Sequence, residues 1–292
     1  MADTEAPTLA LWEIDEIDRA NASGLTPVVF VHGLWLLSSS WKSWRDLFEA
    51  NGFITIAPGW PDDPRTVAEA YETPDAFAHK MVQQVTDHYL AAIEQLTKKP
   101  AVIGHSFGGL IAQKLAGEGV SFATVAIDNA PFKGVLPLPA SSLKSASPVL
   151  GNPGNRGKAI ALTFEQFQYG WANNLDEVEA RRLYADYHVP ASGAPLFQAA
   201  VANFNPFGGE TRVDTRNPAR GPLLVLAGEN DNTVPLAITR ASYKLQARNE
   251  GVTEITEVPG RGHSLVIDNG WRDVADLAFD FIKRFEPAVR PV

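Results

Sequence analysis

A serine between two glycines is the first feature of the chain that could do chemistry. Residues 104–108 read Gly-His-Ser-Phe-Gly, with an apolar segment before them and a helical pattern after them. A serine at such a strand-to-helix turn stands exposed above the end of a sheet when the residues two before and two after it lack bulk. Gly104 and Gly108 meet that condition. Ser106 is therefore the predicted nucleophile, and an ordinary capping serine is the alternative interpretation.

A nucleophilic serine needs a base, which in most enzymes is a histidine. Of the six histidines, His263 is the best placed, because it follows the last predicted strand. His105 lies inside the serine turn and is interpreted as structural. His79 and His88 fall in a predicted helix and are interpreted as surface residues, while His188 is an alternative candidate to face a substrate.

The base in turn needs a carboxylate that fixes its tautomer and stabilises the imidazolium. Asp231 follows a predicted strand and gives the chain order Ser106, Asp231, His263, an order that serine, acid and histidine have in one known fold. Asp231 is therefore the predicted acid. Glu229, two residues away, and Asp128, after the preceding strand, are the alternatives.

Two backbone amides are candidates to bind the oxyanion of a tetrahedral intermediate. One is the N–H of Phe107, directly after the serine. The other is the N–H of Leu34, in the loop that follows the first predicted strand, where Gly33 lets the backbone approach closely. The alternative is that this loop is only a turn that ends the strand.

The quoted motifs together resemble the α/β-hydrolase superfamily from about residue 9 to residue 286. The resemblance is carried by residues 30–33 (Phe-Val-His-Gly), 104–109, 228–231 and 262–263. It implies an α/β fold with an eight-stranded, mostly parallel sheet flanked by helices, a helical cap inserted in the chain, and hydrolysis through an acyl-enzyme without a cofactor. It also implies Ser106 as nucleophile, Asp231 as acid and His263 as base. A serine at the nucleophile position argues against haloalkane dehalogenases and epoxide hydrolases.

Short apolar, β-branched segments alternate with helical patterns, as in a parallel sheet covered on both faces. The predicted strands are Pro27–Val31, Phe53–Ala57, Pro100–Gly104, Phe122–Ile127, Pro222–Ala227 and Thr253–Val258. Residues 9–17 are predicted as an additional edge strand. A long helix is predicted from Thr73-Pro74, because a capping residue precedes a proline at the first helical position.

The alternation stops between residues 132 and 220, where Pro-, Ser- and Gly-rich stretches surround helical patterns at 162–174 and 175–187. We therefore predict a core domain of residues 1–131 and 221–292 and a helical cap of residues 132–220. The cap is rich in aromatic residues, as far as Phe207. The predicted substrate-binding residues are Gly33, Trp35, Phe132, Phe164, Phe167 and Trp171. The alternative is that the aromatic stripe only docks the cap on the core.

Composition excludes several classes of protein. The net charge of −9, from 25 Lys+Arg against 34 Asp+Glu, argues against nucleic-acid and anionic-membrane partners. The absence of cysteine excludes disulfides and thiolate metal sites, and without a pair of histidines at ligand spacing no metal is predicted. Residues 1–6 lack signal-peptide character, and no apolar run approaches the ~18 residues of a membrane span. We therefore expect a cytoplasmic location.

The predicted function is hydrolysis of a neutral or apolar carboxylic ester, a small molecule, because no cluster of Arg or Lys is predicted to face a pocket. The same residues would also serve a lactonase, an amidase, a carbon–carbon bond hydrolase or a hydroxynitrile lyase. A ligand-binding protein that has lost catalysis is the alternative from another class, although serine, acid and histidine are all present in order. The sequence does not determine the oligomeric state.

Overall fold

The computed structural model describes residues 8–205 and 209–288, so residues 1–6 and Phe207, for which predictions were made above, lie outside the described residues. The described strands are β1 (Thr26–Val31), β2 (Phe53–Ile56), β3 (Ala101–His105), β4 (Ala123–Ile127), β5 (Ala159–Ile160), β6 (Ala191–Ser192), β7 (Leu223–Gly228) and β8 (Thr253–Val258). Six of them form one sheet in the order β2-β1-β3-β4-β7-β8. Every neighbouring pair in this sheet is parallel.

Helices cover both faces of the sheet and fill the connections between strands. They are α1 (Leu11–Ser23), α2 (Lys42–Ala50), α3 (Val67–Glu72), α4 (Val82–Glu94), α5 (Phe107–Gly117), α6 (Ala140–Leu150), α7 (Phe164–Gly170), α8 (Glu177–Tyr187), α9 (Ala194–Val201), α10 (Leu236–Gln246) and α11 (Trp271–Phe285). None of the helices in the described ranges is both long and apolar enough to cross a bilayer.

The central strands are built from apolar, largely β-branched residues, and β1, β3, β4 and β7 are buried along their whole length. Such continuous apolar strands are typical of a parallel sheet that helices cover on both faces. All six predicted strands are present, with bounds within two residues of the prediction. Because the strands are parallel, the residues that follow β1, β3, β4, β7 and β8 meet at one edge of the sheet, where ligands bind in folds of this class.

The N-terminal segment differs from the prediction. Residues 9–17 do not form an edge strand, because residues 11–23 are the helix α1. The buried side chains of α1 are Glu13, Ile17 and Ala20, whose spacing of four and three residues is that of one helix face. Within the described residues the central sheet therefore has six strands, not the eight that the resemblance implied.

The helix predicted from Thr73-Pro74 is also interrupted. Residues 74–77 form only a 3₁₀ turn, and α4 begins at Val82. Between them His79 has φ of 62°, a left-handed conformation that an α-helix cannot include. The Lys80 side chain contacts the carbonyl oxygen of Pro61 and pairs with Asp62. This break turns the chain before α4.

Between β4 and β7 the chain forms an insertion that contains α6, α7, α8 and α9, with β5 and β6 as a separate antiparallel pair. The segment is mostly helical, as the sequence indicated. That residues 132–220 act as a separate cap domain stays a prediction. The insertion matters for the site described next, because two of its helices, α6 and α9, line a cavity beside Ser106.

Candidate active site

Ser106 occupies a sharp turn between β3 and α5. Its backbone has φ of 57° and ψ of −122°, outside the regions that ordinary side chains adopt. A Cβ atom on Gly104 would collide with the carbonyl oxygen of Gly108, and one on Gly108 would collide with the carbonyl oxygen of Val31. The two glycines therefore allow the close packing of β1, β3 and α5 that holds this turn. The serine stands at the N-terminus of α5, where the helix dipole favours negative charge.

Ser106, His263 and Asp231 form a continuous line of hydrogen bonds. The Nε2 atom of His263 lies 3.0 Å from the Oγ atom of Ser106, and its Nδ1 atom lies 2.6 Å from Oδ2 of Asp231. The other carboxylate oxygen, Oδ1, accepts the N–H groups of Thr233 and Val234 at 2.6 and 2.8 Å. Because the loop fixes the carboxylate, Asp231 can orient the imidazole with its Nε2 lone pair toward the serine hydroxyl.

His263 is held on two further sides by buried rings. His105 donates from Nε2 to the carbonyl oxygen of His263 at 2.9 Å, and burial places the pKa of His105 well below its usual range, so this ring is neutral. The Trp171 ring meets His263 edge to face, with centroids 4.6 Å apart, and the Trp171 carbonyl accepts the N–H of Ser264. The position of the imidazole is therefore fixed by packing as well as by Asp231.

The loop that contains Leu34, one of the two predicted oxyanion donors, packs against the serine turn that contains the other, Phe107. A Cβ atom on Gly33 would come within 2.8 Å of the Ser106 Cβ and 3.4 Å of the Phe107 nitrogen, so this loop touches the serine turn. In the described part of the chain, the N–H groups of Leu34 and Phe107 do not donate to any protein acceptor. That these two amides bind a developing oxyanion stays a prediction.

The alternative acids occupy different places. Glu229 accepts the N–H of Gly260 at 2.8 Å and lies at the surface. Asp128 is fully buried at the end of β4, and its Oδ1 accepts the N–H of Gly228 at 2.7 Å. Burial and the negative charge of Asp231 raise the pKa of Asp128 well above its usual range. Of the three candidate acids, only Asp231 hydrogen-bonds to His263.

A cavity of about 140 Å³ opens beside Ser106. Its wall is formed mainly by apolar side chains of the loop after β1, of α6 and of α9, and it contains no charged residue among the described ones. The apolar residues of the wall include Trp35, Phe107, Leu143, Ala146, Leu196 and Val234. The hydroxyls of Ser142 and Thr233 donate to backbone carbonyls, and that of Ser145 is bonded to the Thr233 hydroxyl. The cavity therefore presents an apolar surface to a ligand.

Of the predicted substrate-binding residues, one contributes to the wall of this cavity. Trp35 lines the cavity, whereas Gly33, Phe132, Phe164, Phe167 and Trp171 do not. Phe167 stacks on Trp171, and Phe164 packs edge to face on Tyr184. Phe164 and Phe167 thus pack within the insertion, whereas Trp171 also contacts His105 and His263 of the core. Both interpretations of the aromatic stripe stay predictions.

Sequence reasoning missed the wall that α6 and α9 provide. On α9, Leu196, Ala199 and Ala200 line the cavity at a spacing of three and four residues, a helical pattern that was present in the sequence. On α6 the pattern is hidden, because Ser142 and Ser145 alternate with the apolar residues and their hydroxyls turn away to protein partners.

Three other histidines, for which predictions were made from the sequence, lie outside the site. His188 is buried, contacts the Tyr71 hydroxyl of α3 at 2.8 Å and accepts the N–H of Leu162 at 3.1 Å, so both of its ring nitrogens are engaged by protein groups and it links the insertion to the core. His88 lies 3.0 Å from Glu13 in the interior, which corrects the prediction that it is a surface residue. His79 is exposed, as predicted, but it precedes α4 and is not part of a helix.

Among the described residues, one group has metal-binding atoms close together: His105, Asp128 and His263 offer atoms within 4.8 Å of one another. These residues do not fit a metal site. Both ring nitrogens of His263 are engaged by Ser106 and Asp231, and Nε2 of His105 is engaged by a carbonyl. Nδ1 of His105 and Oδ2 of Asp128 have no hydrogen-bond partner among the described residues, and two such atoms are fewer than the three protein ligands of an ordinary catalytic zinc site.

The chain is similar to known hydrolases in sequence pattern and in fold. The model of the alpha/beta hydrolase family matches residues 28–277. The structure resembles a monoacylglycerol lipase from Paleococcus ferrophilus, with 21% identity and a TM-score of 0.62, over 89% of this chain and 95% of that one. It also resembles an extracellular α/β-hydrolase from a Paenibacillus species, with 19% identity and a TM-score of 0.63, over 90% and 100% of the two chains.

A third similar structure is a putative non-heme bromoperoxidase from Mycobacterium tuberculosis, with 16% identity and a TM-score of 0.63, over 90% of this chain and 93% of that one. At such identities the likeness of the structures shows the fold and not the substrate. No curated protein matches the chain.

Proposed function

Because the chain belongs to the α/β-hydrolase family, we propose that it is a serine hydrolase that cleaves neutral carboxylic esters carrying a compact apolar group. The observation that carries this proposal is the hydrogen-bonded line from Ser106 through His263 to Asp231 beside an apolar cavity. A fold of this family alone supports hydrolase activity, and the line of three residues supports a serine nucleophile.

In the proposed reaction His263 removes the proton of Ser106 as the serine oxygen attacks the ester carbonyl. Asp231 keeps the imidazole in the tautomer that can accept this proton and stabilises the imidazolium that forms. The N–H groups of Leu34 and Phe107 bind the oxyanion. His263 then protonates the departing alcohol, and a water molecule activated by the same histidine hydrolyses the acyl-enzyme.

The cavity supports the proposed substrate class. Its volume of about 140 Å³ is close to the ~150 Å³ of an apolar cavity that accommodates benzene. An acyl or alkoxy group of roughly that size would fill it. A charged group would enter without a partner, at a large cost in desolvation, so phosphorylated and polyanionic esters are disfavoured.

The first test is mass spectrometry of the intact protein after treatment with a fluorophosphonate probe, which reacts with activated serines. The wild type should gain one adduct and the Ser106→Ala variant none. Ser147→Ala is the matched control, because Ser147 is an exposed serine on α6 that should leave labelling unchanged. Folded wild-type protein without an adduct would contradict the proposal and favour a binding protein.

A second test addresses the substrate class with a series of p-nitrophenyl esters of increasing acyl length. Ala146→Leu should fill part of the cavity and lower kcat/KM for a hexanoate or benzoate ester by about tenfold or more relative to acetate. Ala237→Leu makes the same change on an exposed face of α10 and should leave the ratio unchanged. An unchanged ratio in Ala146→Leu would show that the cavity does not bind the acyl group.

A further inference from the structure

Asp128 is a buried carboxyl group that the proposed mechanism does not use. It follows β4 directly, its backbone has φ of 39°, and its side chain is fully buried. Its Oδ1 accepts the N–H of Gly228, whereas no donor within the described residues reaches Oδ2. A carboxyl oxygen of Asp128 lies within 4.8 Å of ring nitrogens of both His263 and His105.

The Asp128 carboxyl also contacts the carboxyl of Asp231. Two buried carboxyl groups in contact cannot both be ionised at low cost, so one of them holds a proton. Asp231 accepts two backbone N–H groups and faces His263, whereas Asp128 accepts a single N–H. The hydrogen bonds therefore favour the charge on Asp231 and the proton on Oδ2 of Asp128, which accounts for the missing donor at that atom.

His105 is the other titratable group that faces Asp128. Burial holds the pKa of His105 well below its usual range, so the ring supplies no positive charge that would let Asp128 ionise beside Asp231. Burial of the Asp128 carboxyl raises its pKa, and the negative charge of Asp231 raises it further.

We propose that Asp128 is a second acid of the site: its protonated carboxyl donates a hydrogen bond that positions Asp231, and it ionises to take over this charge when Asp231 is neutralised. The inference rests on the proposed function. In the wild type Asp128 is a positioning residue that acts through Asp231, and its proton stays on Oδ2 throughout the reaction.

The Asp231→Ala variant reveals the second role. Without the neighbouring charge, Asp128 releases its proton to solvent and becomes a carboxylate. A carboxyl oxygen of Asp128 lies within 4.8 Å of a ring nitrogen of His263, so the carboxylate can accept Nδ1–H of His263 in the space that the Asp231 carboxyl leaves. The imidazole keeps the tautomer that accepts the serine proton, and a negative charge stays within the cluster.

The experiment is a double-mutant cycle of Asp231→Ala and Asp128→Asn, with kcat and KM measured on a p-nitrophenyl ester. Asparagine preserves the shape at residue 128, tolerates positive φ and still donates to Asp231. Asp128→Asn alone should therefore lower kcat by about two- to fivefold. Asp231→Ala alone should lower it by about 10–10²-fold, and the double variant by about 10⁴-fold, the loss expected when no acid fixes the tautomer. KM should change little, because Asp128 does not line the cavity.

Glu13→Gln is the matched control, since Glu13 is also a buried carboxyl beside a histidine, His88, but belongs to α1. Its effect should be the same factor in the wild-type and Asp231→Ala backgrounds. If Asp128→Asn also costs the same factor in both backgrounds, Asp128 is only structural and the inference is wrong. If the double variant does not fold, Asp231→Ala alone decides, because a loss near 10⁴-fold leaves no role for a second acid.

Failure of the proposed function would look different. If Ser106→Ala or His263→Ala retained activity, the reaction would not use these residues and the proposed function would be wrong. If both abolish activity while the cycle is additive, only the role of Asp128 is wrong.

Discussion

At the residue scale, the site depends on side chains whose partners come from distant parts of the sequence. The motif around Ser106 and the positions of His263 and Asp231 after strands were recognisable from the sequence, because each follows an apolar strand-like segment. The contact between Asp128 and Asp231 was not, since it depends on how close β4 and β7 bring two carboxyl groups. Sequence spacing gives the order of such residues along the sheet edge but not which of two acids faces the histidine.

Ser106 and His263 should act as a unit. We expect Ser106→Ala to lower kcat by about 10⁴–10⁶-fold and His263→Ala by a similar factor, because the hydroxyl is a weak nucleophile without the base. The double variant should then be no slower than either single variant. Ester hydrolysis by the purified variants measures this, and losses that multiply would indicate that the two residues act in separate steps.

Asp128 should make the stability of the protein depend on pH in a specific direction. Its pKa is raised in the folded state, so between the ordinary aspartate value of ~4 and the raised value the folded protein binds more protons than the unfolded chain. The protonated Asp128 carboxyl therefore stabilises the folded state at low pH, and this contribution to the free energy of unfolding is lost as the pH rises through that window.

Asp128→Asn removes this dependence. The difference in the free energy of unfolding, variant minus wild type, should become more positive from pH 4 to pH 8. Urea unfolding at both pH values measures it. The other titratable groups that face residue 128, Asp231, His263 and His105, are present in both proteins. A constant difference would mean that Asp128 is ionised in the folded wild type.

At the element scale, the position of the nucleophile is set by the packing of α5 against β1 and β3. The six strands of the central sheet were predictable because five of them are mainly apolar, while β8 is rich in β-branched residues. The helix α1 was mistaken for a strand, although Leu11, Ile14 and Ile17 recur every three residues, a spacing that fits a helix and not a strand. The break before α4 was missed for a different reason, since a left-handed residue such as His79 gives no sequence signal.

Gly104→Ala should disturb both the fold and the reaction. Its Cβ would collide with the Gly108 carbonyl and come within 2.9 Å of the Ala112 Cβ, so α5 would have to move away from β3. We expect a loss of about 1–3 kcal/mol in the free energy of unfolding and a lower kcat, because Ser106 moves with α5. Denaturant unfolding and ester hydrolysis test this. Gly154→Ala, in an exposed turn, is the control and should have little effect on either quantity.

At the scale of the whole molecule, the insertion between β4 and β7 is hydrogen-bonded to three loops of the site, those after β1, β7 and β8. Trp35 donates its indole N–H to the carbonyl of Ile160. Asn173 donates to the carbonyl of Asn230, beside the acid, and Asn174 donates to the carbonyl of Gly260, in the loop that carries His263. The sequence indicated an inserted helical segment. These hydrogen bonds could not be predicted from it, because they join residues that are far apart in the chain.

His188 at the centre of the insertion should make the protein sensitive to acid. Burial lowers its pKa to about 4, so between pH ~6.5 and ~4 the unfolded chain binds a proton that the folded protein does not. The free energy of unfolding should fall as the pH decreases through this window, by about 3 kcal/mol at most from this residue. His105 contributes in the same direction.

His188→Gln tests this contribution. The variant should be less stable than the wild type at pH 7, because it loses the ring that contacts Tyr71 and Leu162. The fall in its free energy of unfolding between pH 6.5 and pH 4 should nevertheless be smaller than in the wild type. Urea titrations at four pH values in this range give both quantities, and equal slopes would show that His188 is protonated in the folded protein.

The contact between Trp171 and His263 also gives the protein an optical property. An excited indole transfers an electron readily to a protonated imidazole, and the two rings lie 4.6 Å apart between centroids. The fluorescence of Trp171 should therefore dim when His263 takes a proton, and the difference between wild type and Trp171→Phe isolates this signal from the other six tryptophans. The chain thus carries its own reporter of the charge on the base, readable in a stopped-flow instrument without any label.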